Sequence, residues 1–233
     1  MNIVCNNDIY AAIRYDISES VEVYIDSSFD NNVRGISKHQ IVNLGSGFSM
    51  VDKHGRFAGY GVASIKRNPS TNSQISELGG ILYFFDIMKK HFPNEYNENT
   101  KFIVRNDNLK LMRNLSSVVK NNHGTFDSPT GDFLKAIGSY RAKVFSTLKH
   151  FNVEFEWVKG HADNHFNVLA HNLAYRSYST NQKNIPFIEG VRMSHIKRSL
   201  NVLHESMDAP GTSLVPPVLM TNTIGEALKD AEK

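Results

Sequence analysis

Cysteine is almost absent: the 233 residues hold one, Cys5. That excludes an internal disulfide and a cysteine-built zinc site, and it fits a reducing, cytoplasmic setting as the expected location. Long apolar runs are absent too. No stretch approaches the ~20 residues that span a bilayer, so no membrane partner is expected. Residues 1–15 lack a basic segment followed by a long apolar core and do not read as a secretory signal. Charge of one sign is in short supply. Lys and Arg number 26 against 23 Asp and Glu, which leaves a net charge of +3 and a pI of about 8.8. That balance permits a nucleic-acid partner without arguing for one.

What remains is an ordinary globular composition, 40% hydrophobic and 21% charged, enough for one core with extensions. Val21-Glu22-Val23-Tyr24-Ile25 alternates and is β-branched, so it predicts a strand ending at Asp26. Apolar runs at 44–51 and 57–65 flank the polar turn Lys53-His54-Gly55-Arg56 and predict a hairpin. A helix follows from near Glu77, with Leu78, Ile81, Leu82, Phe85 and Met88 on one face. Gly79 and Gly80 weaken it by roughly 1 kcal/mol each relative to Ala, a cost that close approach of the helix to a sheet would offset.

Residues 101–105 predict a strand that leads into a helix carrying Leu109, Met112 and Leu115. One long helix is expected from the stripe Phe133, Ile137, Tyr140, Val144 and Leu148. A strand at 153–158 and a helix at 167–178 complete the pattern. Phe84, Phe85, Phe133, Tyr140 and Trp157 are read as core. The order is three strands, helix, strand, two helices, strand, helix, which argues for an α/β layered domain with a partly parallel sheet.

Acidic residues stand where such a sheet would gather a ligand. Asp26 ends the first strand, Glu77 opens the helix after the hairpin, and Asp107 ends the next parallel strand. Alone, each has a bland reading as a turn former, a helix cap or a partner of the helix dipole. Together they form a like-charged cluster that needs a cation, and oxygen-rich clusters suit hard ions such as Mg²⁺. Two such ions ~3.5–4 Å apart activate a water and stabilise the leaving oxygen of a phosphodiester.

The same residues carry a family resemblance. Ile25-Asp26-Ser27-Ser28 resembles a first motif that is usually Thr-Asp-Gly-Ser. Ser73-Gln74-Ile75-Ser76-Glu77-Leu78 resembles a second, in which a polar pair precedes an Ala-Glu-Leu step into a helix. Val104-Arg105-Asn106-Asp107-Asn108 resembles a third, usually Thr-Asp-Ser. Trp157-Val158-Lys159-Gly160-His161-Ala162, followed by Asn167 and Ala170-His171-Asn172-Leu173-Ala174, resembles the fourth and most specific. These are motifs of the type 1 ribonucleases H, and the likeness covers residues 21–178.

The resemblance implies a ribonuclease H-like α/β fold: a five-stranded mixed sheet flanked by helices, with a C-terminal extension. Residues 1–20 would be an N-terminal extension, 21–180 the catalytic domain and 181–233 the C-terminal extension. It implies metal-dependent cleavage of the RNA strand of RNA–DNA hybrids. Asp26 would be the central metal ligand, Glu77 and Asp107 would complete the cluster, and His161 would assist proton transfer or product departure. Asn167 and His171, four residues apart, would share a helix face turned to the site. Ser28, Gln74, Asn108 and Asn167 supply small or amide groups for contacts with the hybrid. A monomer is expected.

The sequence departs from the family where His171 stands in place of a fourth Asp. Imidazole can ligate a metal or act as a base near neutral pH, but adds no negative charge, and it suits Mn²⁺ better than Mg²⁺. Two alternatives therefore stay open: a catalytically impaired hybrid-binding protein, or another nuclease on the same fold. A proofreading exonuclease would carry Asp-x-Glu in the first motif, where Ser27 and Ser28 stand. The cations Arg113, Lys120, Lys135, Arg141, Lys143 and Lys149 fit either a DNA-gripping protrusion or a solvated helix face. In the tail, residues 191–207 predict a basic amphipathic helix, 208–218 a proline-containing linker and 224–233 a short helix.

Overall fold

The computed structural model describes residues 2–5, 9–14, 17, 19–28, 42–67, 73–121, 129–138, 140–160 and 164–179. The predicted features of the tail and His161 lie outside them, as do residues 30–40, a polar stretch of the sequence. In chain order the elements are β1 (Asn2–Cys5), β2 (Ile9–Ile13), β3 (Ser20–Ser28), β4 (Val42–Asp52), β5 (Phe57–Arg67), α1 (Ser73–His91) and β6 (Lys101–Asn106). Then come α2 (Leu109–Asn121), α3 (Pro129–Ala136), α4 (Tyr140–His150), β7 (Asn152–Trp157) and α5 (His165–Ser179).

The strands form one sheet in the order β1-β2-β5-β4-β3-β6-β7. Pairing is antiparallel from β1 to β3 and parallel from β3 through β6 to β7. The five strands from β5 to β7 are the expected ribonuclease H-like mixed sheet. Two more precede them, so the sheet has seven strands rather than five. Ala11, Ala12 and Ile13 of β2 are fully buried, and the strand pairs along β5, an edge that would otherwise stand open. The sequence signal for this hairpin is weak because its strands are only four and five residues long, and β2 carries two alanines.

Alternation along β3 sorts its side chains to two faces. Val21, Val23 and Ile25 join the main core with residues of α1, α2, α3 and α4, among them Phe84, Phe85 and Phe133, and with Phe102 of β6 and Phe151 after α4. Tyr24 faces the other side, in a smaller cluster with Val51, Ala170 and Phe166 beneath α5. The expected long helix is two, α3 and α4, separated at Ile137 and Gly138. The apolar stripe continues across the break, with Phe133, Ile137, Val144 and Leu148 all on the core, so periodicity alone did not reveal it. Gly138 has φ 51°, outside the helical region.

Candidate active site

Three carboxylates lie at one end of the parallel strands. Asp26 is near the end of β3, Asp107 directly follows β6, and Glu77 is on the second turn of α1. Asp26 and Glu77 are each 7% exposed. Asp26 Oδ1 accepts a hydrogen bond from the Ser27 N–H at 2.7 Å, and Oδ2 lies 2.6 Å from His171 Nδ1. Burial above all pushes the Glu77 carboxyl well above the usual carboxylate range. The charges of Asp26 and, less strongly, Asp107 push the same way, and the Asn106 hydrogen bond opposes them.

Asn106 is the hub between the elements. Its Nδ2 donates to the Ile25 carbonyl at 2.7 Å and to Glu77 Oε2 at 3.0 Å, while its Oδ1 accepts from the Asn108 N–H at 2.8 Å. One fully buried amide therefore ties β3, α1 and the start of α2 together. The sequence reading gave it no role, although a signal existed. It occupies the inward register of β6 after Phe102 and Val104, where a polar side chain needs internal partners.

Two glycines seat the helices that bring side chains to Asp26. Asp26 pairs with Gly47 across the sheet, and a Cβ at Gly47 would meet the Ala170 carbonyl oxygen at 2.3 Å and Leu173 Cβ at 2.6 Å. That notch lets α5 lie on the sheet with His171 over Asp26. On the opposite face, a Cβ at Gly80 would stand 2.4 Å from Ser27 Oγ and 2.8 Å from Ser46 Oγ. The close helix–sheet approach expected from the glycine pair is thus present at Gly80, one turn after Glu77.

A second polar group lies just beneath. The Tyr24 hydroxyl accepts from Arg105 Nη1 at 2.8 Å and from Asn164 Nδ2 at 3.2 Å, and donates to Glu22 Oε2 at 3.0 Å. Asn164 Oδ1 accepts from the N–H groups of Phe166 and Asn167, which makes Asn164 the N-cap of α5. Tyr24 and Arg105 each stand two residues before an acid of the cluster. An Asn ahead of a helix was a legible cap signal, whereas its bond to Tyr24 joins residues 140 positions apart.

The remaining candidates are dispersed around this centre. Asn167 is buried one turn before His171 on α5. Asn108 Oδ1 accepts from the Leu111 N–H at 3.1 Å and caps α2. Gln74 is on the first turn of α1, and its Nε2 is buried with no hydrogen-bond partner among the described residues. Ser28 ends β3, half-buried opposite Gly45. Of the basic residues, Lys143 pairs with Asp86, and Lys135 lies 3.7 Å from Asp132. Trp157 is not core: it is 48% exposed, and its Nε1–H donates to the Asp107 carbonyl at 3.1 Å. It shares a face of β7 with buried Val153 and Phe155, but it ends an edge strand.

The chemistry of this donor set is that of a hard-cation site: three carboxylates, one imidazole and no thiolate. Among the described residues, no group of three or more His, Cys, Asp or Glu stands ready to hold a metal ion. Asp26 is engaged by His171 and Ser27, and Glu77 by Asn106, but each carboxylate keeps further lone pairs, so an ion could be held while the Ser27 and Asn106 hydrogen bonds remain.

No protein family matches the chain, and no curated protein matches it. Among solved structures it is similar to ribonuclease H1 of the halophilic archaeon Halobacterium salinarum. Identity is 15% over 68% of this chain and 96% of that one, with a TM-score of 0.45. A compost-derived ribonuclease H1 in complex with an RNA/DNA hybrid is 14% identical over 66% of this chain and 92% of that one, with a TM-score of 0.40. A foamy viral protease–reverse transcriptase in complex with an RNA/DNA hybrid is 14% identical over 70% of this chain and 20% of that one, with a TM-score of 0.47.

Proposed function

We propose that this chain is a metal-dependent endoribonuclease that hydrolyses the RNA strand of RNA–DNA hybrids. The observation that carries this reading is the field around Glu77. Asp26 near the end of β3, Glu77 on α1 and Asp107 after β6 lie at one end of the parallel strands, and the Glu77 carboxyl, raised first by burial, is raised further by the charges of Asp26 and Asp107. Such crowding is unfavourable in a purely structural cluster and is relieved by a divalent cation.

Asp26, Glu77 and Asp107 are the residues to hold the ion, with His171 as a further donor. Mg²⁺ is the expected ion, and the imidazole favours Mn²⁺. When bound, it supplies Lewis-acid charge and an activated water for phosphodiester hydrolysis. The chain's own groups do the rest. Ser27 N–H and Asn106 Nδ2 hold Asp26 and Glu77 in place. His171, beside Asp26, is positioned to take or release a proton. His161 assists proton transfer or product departure. Ser28, Gln74, Asn108 and Asn167 face the hybrid, where a 2′-hydroxyl distinguishes RNA from DNA.

The test is a substrate panel: an RNA–DNA hybrid, a matched RNA duplex and a matched DNA duplex, each with Mg²⁺ and with Mn²⁺. The reading predicts internal cuts in the RNA of the hybrid alone. Cleavage of the DNA duplex would favour another nuclease on this fold. One observation favours a hybrid-binding protein without catalysis: His171 occupies Asp26 Oδ2 where the related motif usually supplies a fourth acid. Hybrid binding without cutting in either ion would establish that second reading.

A further inference from the structure

Trp157 is a large apolar ring held in place yet half open to solvent. Its Nε1–H is fixed to the Asp107 carbonyl, while 48% of the residue's surface is exposed. Leu109, two residues beyond Asp107, is 37% exposed. Thus two of the three exposed large hydrophobic residues among those described flank a single acid of the candidate site. Both are interleaved with cations: exposed Lys110 follows Leu109, and exposed Lys159 stands two residues after Trp157. Neither lysine has a carboxylate partner among the described residues. An anchored aromatic face with exposed lysines a few residues away suits a ligand that alternates flat apolar rings with phosphates, which is a nucleic-acid strand.

We propose that Trp157 is a nucleotide platform. Its exposed ring packs on the sugar or base of a nucleotide in the strand bound over Asp107, with Leu109 extending the apolar surface and Lys110 and Lys159 meeting the adjoining phosphates. This rests on the nuclease reading above, because it takes the hybrid as the ligand. The Nε1–H bond fixes the ring at no cost in flexibility on binding, since the side chain is already ordered.

Trp157 is the chain's single tryptophan, so its emission reports on this ring alone. The full chain is titrated with an unlabelled RNA–DNA hybrid in chelator, with excitation at the red edge where tyrosine does not absorb. Binding is followed in parallel by anisotropy of an end-labelled hybrid. The proposal predicts a change in Trp157 emission, and protection from iodide quenching, that saturate together with the anisotropy. Binding with unchanged emission and unchanged quenching overturns the platform and leaves the nuclease reading intact. Absence of binding in the anisotropy, both in chelator and with Ca²⁺ in its place, overturns both.

Two variants separate the ring from its hydrogen bond. Trp157→Phe keeps an apolar ring and removes the Nε1–H, whereas Trp157→Ala removes both. Trp157→Ala is expected to weaken hybrid binding by roughly tenfold, and Trp157→Phe to retain most of the affinity. An equal loss in the two would assign the effect to the Asp107 backbone contact and contradict the proposal.

Discussion

His171 Nδ1 lies 2.6 Å from Asp26 Oδ2, across the interface between α5 and β3. The contact exists because Gly47 leaves room for Ala170 and Leu173, which lowers the helix onto the strand that pairs with β3. An imidazole thus occupies the position from which a further acid would contribute charge. It can give a proton, take one or donate a lone pair to an ion, and none of these adds negative charge to the cluster.

Substitution at His171 therefore separates ligand from bystander. His171→Ala is expected to lower hybrid cleavage by about 100-fold, the scale of a lost proton-transfer group. His171→Asp is expected to shift the ion preference towards Mg²⁺ and to reduce the concentration at which Mg²⁺ supports cleavage. Rates measured across Mg²⁺ and Mn²⁺ titrations check both. Unchanged rate and ion dependence in His171→Ala would remove His171 from the site.

The raised pKa of Glu77 gives stability a defined pH dependence. In the folded, metal-free protein Glu77 keeps its proton to higher pH than in the unfolded chain, so between the two pKa values the folded state binds more protons. Its contribution is therefore favourable below the ordinary carboxylate pKa and is lost as pH rises through the raised one. Urea unfolding in chelator is expected to show this loss, and Glu77→Gln is expected to abolish it. Divalent ion, by stabilising the charged form, is expected to restore stability at neutral pH. A Glu77→Gln variant with the same pH slope as the parent would assign the slope to another group.

Ser27 and Gly80 act as a pair. The related motif usually carries Gly at the position of Ser27, and here the missing side chain is on the helix instead. Gly80→Ala sets a methyl 2.4 Å from Ser27 Oγ and is expected to destabilise by about 1–3 kcal/mol. Ser27→Gly in the same background should recover part of that loss, leaving Ser46 Oγ at 2.8 Å as the residual conflict. A double-mutant cycle in denaturant measures the coupling, and additive effects would mean that α1 shifts away from the sheet instead.

Much of the site was legible because its parts follow local rules. Alternation along β3 runs out at Asp26, the β6 pattern runs out before Asp107, and a helical stripe begins beside Glu77, so each acid could be placed from its own neighbours. What was not legible depends on contacts between distant segments. The β1–β2 hairpin is stable only because β5 offers an edge, which residues 2–13 alone do not reveal. The break between α3 and α4 keeps the apolar stripe intact. Trp157 has the inward parity of Val153 and Phe155, but parity gives the face of a strand and not where its cover ends. Asn106 is visible as a polar residue in an apolar register, while its three partners belong to the fold.

The most direct test of the central claim is RNA cleavage within a hybrid by the parent chain beside Asp26→Asn, Glu77→Gln and Asp107→Asn, with Mg²⁺ or Mn²⁺ and with chelator. The account predicts internal cuts that require the ion and disappear in each variant while all three variants remain folded. Ion-independent cleavage, or cleavage that survives the loss of Asp26, would contradict it.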